Sequence, residues 1–399
     1  MDFNNLQSSN CSQWQTNSWL THLTAKIGFG LAYGLVALLS LIGNLVILWI
    51  LARNKEIRST TNILIGNLAL SDLVLTFSSL WMTPLYAFEG NWDYGLTSCY
   101  IWMSLPSITV LVSSLTLMII ALDRYVVIVR PDWKPLKNFG LYGSVILGCW
   151  LLALGLTLPL SLSTRQVTVG HCGHRWRFCI SDWTPELGRL WYGGSILIIK
   201  SCIPFSLIAV CYWRIALSLA RAYRRIRYTR SQQGRLKSIR RKQKVNRTLI
   251  TMVILFGLCS VPLDVLNLIK DLNWYLRREL APARLLQTLS LISHLVAMTA
   301  TLWNPLLYAF CNENFKREIE TGLARLSSSL YSRARNISPV LLSLVSSPKD
   351  QQLTQPRDQR DQRDQSLTLA NPPNPPISLS TTPRIHCPPE PAKENEVYV

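Results

Sequence analysis

Seven long apolar runs divide the chain. They lie near Ile27–Leu51, Asn62–Ala87, Ser98–Val129, Gly140–Leu162, Leu190–Leu219, Val245–Ile269 and Leu285–Phe310. Each approaches or exceeds the roughly 20 residues that a helix needs to cross the hydrocarbon core of a bilayer. Runs this long predict spanning helices. The expected fold is therefore an all-α membrane protein, a seven-transmembrane helix bundle over 27–311. Composition agrees: 16% of residues are charged, against roughly 25% in a soluble domain.

The segments between the runs alternate in charge. Arg53, Lys55 and Arg58 follow the first run, and Lys134 and Lys137 follow the third. After the fifth, Arg221 to Arg247 contains no acidic residue. The other connections are mixed, with Asn91-Trp92-Asp93 in one, and Asp182 and Glu186 beside Arg175 and Arg177 in another. Lysine and arginine mark the cytoplasmic side of a span. The expected topology is a multi-pass plasma-membrane protein with its N-terminus outside and its C-terminus inside. The net charge of +19 follows from that bias, and no basic soluble domain is present to bind nucleic acid. Residues 1–26 read as an extracellular leader in which Asn10-Cys11-Ser12 is a glycosylation sequon, usable only outside. No basic region precedes a short apolar segment, so no cleaved signal peptide is expected. Residues 312–324 mix apolar and basic types and suit a short amphipathic helix on the inner leaflet, with membrane lipid as its partner. Residues 325–399 are rich in Ser, Pro and Gln, repeat Arg-Asp-Gln from Arg357 to Gln365, and read as a disordered cytoplasmic tail. The terminal Val397-Tyr398-Val399 has the alternation that a carboxylate-binding PDZ groove accepts.

Polar residues inside the spans are costly and so carry information. Asp123-Arg124-Tyr125 stands where the third run gives out. Either these charges snorkel to the interface, or Asp123 holds Arg124 until the bundle opens toward a partner. Asp72 lies within the second run, and Ser113 and Asn304 are placed to line the same pocket. Its carboxylate needs a cation, such as a hydrated sodium ion, or a proton shared in a hydrogen-bond cluster. Pro204, Pro262 and Pro305 mark spans five, six and seven as bent helices. Of the ten cysteines, Cys149, Cys202, Cys211, Cys259 and Cys311 sit in apolar runs as packing residues. Cys99, Cys172 and Cys179 lie near the outward side, where disulfides form, and Cys11 lies in the leader.

Gly43-Asn44, Asp72, Cys99 with a second-loop cysteine, Asp123-Arg124-Tyr125, Trp150, Pro204 with Tyr212, Phe256 with Pro262, and Asn304-Pro305-Leu306-Leu307-Tyr308 occur in this order. From Ile27 to Ile319 the chain thus resembles the rhodopsin-like (class A) G-protein-coupled receptors. Pro262-Leu263-Asp264-Val265-Leu266-Asn267, Asp271, His294-Leu295-Val296-Ala297-Met298 and Cys179-Ile180-Ser181-Asp182-Trp183 are similar to the neuropeptide Y and neuropeptide F receptors. That group includes the short-neuropeptide-F and prolactin-releasing-peptide branches. The resemblance implies an extracellular peptide ligand with an amidated Arg-Phe or Arg-Tyr end. Asp271, Asn267, His294, Asp264 and Trp183 would bind it. A guanidinium prefers a planar carboxylate, and a neutral amide needs side chains such as Asn or His. A switch made of Asp123, Arg124, Tyr125, Tyr212, Asn304, Pro305 and Tyr308 would engage a heterotrimeric G protein, with inhibitory coupling. Tail serines such as Ser327 would recruit arrestin once phosphorylated. Cys99 would pair with Cys179 or with Cys172, and Cys11 with Cys172 is a further pairing.

The chain departs from the family pattern in places. Ser260 stands where a tryptophan is usual, and Pro106 where the neuropeptide Y group carries glutamine. No acid lies near Lys242 to hold Arg124, so high basal activity is expected. A retinal sensor would need a lysine between Gln287 and Phe310, and a monoamine receptor an acid between Tyr100 and Val112; neither is present. No nucleophile–base spacing suggests an enzyme, and no cofactor is implied beyond the sodium ion. His171 and His174 beside Cys172 are only locally zinc-like. The alternative reading is a receptor for a different peptide, or a constitutively active one.

Overall fold

The computed structural model describes residues 23–54, 58–80, 82–130, 132, 139–171, 174–227, 233–276, 282–311, 316–322, 324, 327 and 328. The sequon at Asn10, Cys11, Cys172, the loop lysines Lys55, Lys134 and Lys137, and residues 329–399 with Val397-Tyr398-Val399 lie outside them.

The elements are α1 (Leu23–Arg53), α2 (Thr60–Ser79), α3 (Met82–Glu89), α4 (Gly95–Val129), α5 (Phe139–Ser163), β1 (Thr164–His171), β2 (His174–Ser181), α6 (Glu186–Leu197), a π-helical turn (Ile198–Cys202), α7 (Ile203–Arg227), α8 (Gln233–Leu276) and α9 (Ala283–Cys311). Seven helical stretches are long and apolar enough to cross a membrane. Span two runs through α2 and α3. Span five runs through α6, the π turn and α7.

Local chemistry sets several boundaries. Helix α2 ends at Ser79 with Leu80 as its C-cap, and Leu80 lies four residues before Pro84. A proline ring clashes with the carbonyl four residues earlier and removes one helical hydrogen bond. The start of α2 is capped by the Ser59 hydroxyl, which accepts from the Asn62 N–H at 3.3 Å. Helix α8 begins twelve residues before the apolar run at Val245. That stretch is rich in Arg, Lys and Gln, all good helix formers, and holds no proline.

Between spans four and five lies an antiparallel hairpin that the helical reading did not anticipate. Thr164 pairs with Ser181, and the register continues to His171 opposite His174. Alternation places Val167, Val169, Trp176, Phe178 and Ile180 on one face and Cys179 with Arg177 on the other.

The packing is reversed relative to a soluble protein. Leu31 (70%), Leu151 (59%) and Leu258 (66%) are exposed on the outside. Ser40, Asn44, Asn67, Ser71, Asp72, Ser113, Thr116 and Asn304 are buried. The largest apolar cluster gathers Leu64, Leu68, Leu117, Ile120, Ile208, Ile215 and Met252 from spans two, three, five and six. Ile319, from the helical residues 316–322, packs against it.

Candidate functional site

At the Arg124 end of the bundle, the Asp123 carboxylate is saturated. Its Oδ2 accepts from Arg124 Nη2 at 2.6 Å, Arg124 Nε at 3.1 Å and Thr61 Oγ1 at 3.1 Å. Its Oδ1 accepts from the Tyr142 hydroxyl at 2.8 Å. Arg124 Nη2 also donates to Thr61 Oγ1. Thus Asp123 joins spans two, three and four and holds the guanidinium against span two. Among the described residues the ion pair of Arg124 is with Asp123. Tyr212 and Tyr308 are buried in the bundle and Tyr125 is half-buried.

Midway along the bundle runs a buried polar network. Asn304 Nδ2 donates to Asp72 Oδ2 at 2.7 Å, and Ser71 and Ser113 share a hydrogen bond of 2.8 Å. Thr76 donates to the Asp72 carbonyl at 2.7 Å and bonds Ser40 at 2.8 Å. Asn44 Nδ2 donates to the Thr301 carbonyl at 3.1 Å, while its buried Oδ1 has no hydrogen-bond partner among the described residues. Trp150 Nε1 donates to Asn67 Oδ1 at 2.9 Å, and Asn67 Nδ2 to Thr116 Oγ1 at 2.9 Å. Five spans are joined in this way. Asp72 meets the amide nitrogen of Asn304 here, while carboxylate and hydroxyl oxygens such as those of Asp72 and Ser113 are the donor types that suit a hard cation.

At the Cys99 end, the Cys99–Cys179 disulfide ties β2 to the start of α4. The fully buried Trp92 donates its backbone N–H to the Arg177 carbonyl at 2.7 Å. Tyr86 and Trp102 pack on its ring, with centroids 5.2 and 5.1 Å away. These contacts hold the hairpin over the bundle mouth.

The expected ligand residues fall into separate settings. Asp271 already holds a cation: Arg189 Nε donates to its Oδ1 at 2.6 Å. The same guanidinium lies over the Trp274 ring at 5.7 Å. Asp271 also approaches Gly193, where an added Cβ would lie 2.7 Å from its Oδ2. Asp264 is likewise paired, accepting from Lys200 Nζ at 2.5 Å and from the Ser201 hydroxyl at 3.2 Å. Asn267 is exposed on the same helix. Trp183 packs against Tyr192 in a tilted ring pair with centroids 4.9 Å apart. His294 is engaged on both nitrogens, with the Tyr33 hydroxyl at 3.0 Å from Nδ1 and the Ser79 hydroxyl at 2.9 Å from Nε2. The structure thus gathers Asp264, Asn267 and Asp271 on span six and hydrogen-bonds His294 to spans one and two. Arg189 and Lys200 were missed by the sequence reading; their one signal was a cation within or beside an apolar run.

The family model described as 7 transmembrane receptor (rhodopsin family) matches residues 43–308. Neuropeptide Y receptor type 6 of Mus musculus is 31% identical over 309 residues, covering 72% of this chain and 78% of its own. Neuropeptide Y receptor type 4 of Rattus norvegicus is 32% identical, covering 72% and 76%. Neuropeptide Y receptor type 1 of Xenopus laevis is 31% identical, covering 73% and 79%. These relatives are receptors and not enzymes. With its seven spans, its joined cysteines and its Asp123–Arg124 pair, the chain belongs to the rhodopsin family of seven-transmembrane receptors and within it is similar to the neuropeptide Y receptors.

Proposed function

We propose that this chain is a plasma-membrane receptor for an extracellular peptide with a cationic residue beside an amidated end, signalling through heterotrimeric G proteins with inhibitory coupling. The supporting observation is the Asp271 carboxylate at the Cys99 end, which binds a guanidinium in the resting bundle. The peptide's arginine enters by exchange for Arg189, and Asn267 with Trp183 meets the neutral amide. The names of the relatives, neuropeptide Y receptors, support a peptide ligand. The Cys99 end then faces outward and the Arg124 end inward, as the arginine-rich run Arg221 to Arg247 requires.

Binding shifts the equilibrium only by its preference for the open bundle. In that bundle span six swings about Pro262, Arg124 leaves Asp123, and Tyr212 and Tyr308 support the freed guanidinium. The crevice between spans three, five and six accepts a G-protein helix by its apolar face. Asp72, Ser113 and Asn304 would hold a sodium ion, which supplies the positive charge that a buried carboxylate lacks.

The test is a cyclic AMP assay in cells with amidated Arg-Phe and Arg-Tyr peptides. Asp271→Arg lowers peptide potency at least about tenfold, equivalent to ~1.4 kcal/mol. Arg124→Ala abolishes signalling while peptide binding persists. Unchanged potency in Asp271→Arg sinks the ligand assignment, and silence of the unmodified receptor to every such peptide sinks the ligand class.

A further inference from the structure

A largely buried ion pair within a span needs a reason, because two charges drawn out of water cost more than their attraction readily returns. Lys200 and Asp264 form such a pair, with side chains only 16% and 9% exposed. The sequence explains how Lys200 comes to be there. Pro204 lies four residues on and has no N–H, so it leaves the Lys200 carbonyl without its helical partner. The chain answers with the π turn over Ile198–Cys202, a feature that tends to occur at functional sites. The freed carbonyl is taken by span three: the Ser114 hydroxyl donates to it at 2.5 Å. The Lys200 ammonium and the adjacent Ser201 hydroxyl both turn to Asp264 on span six. One residue therefore ties three spans together.

The place of this tie is informative. Asp264 is two residues past Pro262, the proline inside α8. Ser260, one turn from Asp264, is buried on the same helix. At the inner end Arg124 has Asp123 as its ion-pair partner, and that partner lies on its own helix, so the pair does not restrain span six.

We propose that Lys200 is the positioning residue of the receptor: its tie to Asp264 and Ser114 pins the bend of span six against spans three and five and sets the resting arrangement. This gives the signalling reading above its restraint, but the claim concerns the geometry of the bundle and is tested there.

Full-length receptor is reconstituted in lipid nanodiscs, with spin labels introduced as non-canonical amino acids at the exposed positions Arg221 and Arg240. The separation of the inner ends of spans five and six is then read as a distance distribution without ligand. Lys200→Met and Asp264→Asn raise the long-distance population at least about threefold, a shift well within what one lost contact produces. Lys200→Arg, and the exchanged pair Lys200→Asp with Asp264→Lys, return it toward the unmodified receptor. A wild-type distribution in both neutral variants, with a cooperative thermal transition, overturns the proposal. Should the neutral variants fail to fold, Ser114→Ala and Ser201→Ala decide, since both keep the charges: a shift in the same direction supports the tie and an unchanged distribution overturns it. Basal G-protein signalling in the same variants tests the receptor reading separately. A distance shift without a signalling change counts against that reading and leaves the tie supported.

Discussion

Gly43 shows how little room separates spans one and seven. A Cβ at this position would lie 2.7 Å from Pro305 Cγ and 2.8 Å from Cβ, closer than packed carbon atoms come. The neighbour is a proline ring, which cannot swing aside as a long flexible side chain could. Overpacking of this kind costs about 1–3 kcal/mol. Gly43→Ala is therefore expected to lower the melting temperature of the purified receptor by several degrees. It would also disturb the adjacent Asn44, whose Nδ2 reaches the Thr301 carbonyl on span seven. A melting curve that matches the unmodified receptor would mean that the two spans part more easily than their contact suggests.

Among the elements, the hairpin and the spans differ in how their sequence speaks. The spans were legible because length and greasiness are enough to place them, and the observed helices cover every one of the seven runs. The hairpin was not, because the alternation of Trp176, Phe178 and Ile180 with Arg175 and Arg177 is short, and its arginines read as an ordinary charged loop. Nor was the choice of cysteine, which depends on β2 bringing Cys179 to Cys99 across 80 residues. The polar residues Asp72, Asn304 and Asp123 stood out against apolar runs. The partners of Asp264 and Asp271 did not, because a pair such as Arg189 with Asp271 is made by two spans meeting and leaves no local spacing to read. Opening the loop that the Cys99–Cys179 bridge closes would cost ~4.5 kcal/mol of chain entropy in a free chain, but spans three and four are already confined by the bilayer, so the true loss is smaller. Cys179→Ser is therefore expected to leave the bundle folded while hydrogen exchange speeds up at least about tenfold over residues 174–181. Equal acceleration in the spans themselves would show that the bridge holds the bundle and not only its roof.

For the whole molecule, the division between a polar interior and an apolar coat sets the medium in which the chain can exist. Leu151 is 59% exposed on span four, where only lipid tails can satisfy it. An acid there costs about 2.5–3.5 kcal/mol at the centre of a span. Leu151→Asp should reduce the amount of receptor at the cell surface severalfold, measured by surface labelling of intact cells, whereas Leu151→Phe should not. The long rod α8 adds a mechanical consequence. From Pro262 to its Gln233 tip it extends roughly 44 Å at 1.5 Å per residue, so in the opening proposed above it would act as a lever pivoted at the proline. A tilt of about 10° displaces that tip by roughly 8 Å, enough to admit a helix of ordinary width (about 10 Å with side chains) where none fitted before. Sub-ångström rearrangements around the pivot are magnified many times over at the far side of the bilayer, and a messenger that barely moves its binding residues can still be heard there.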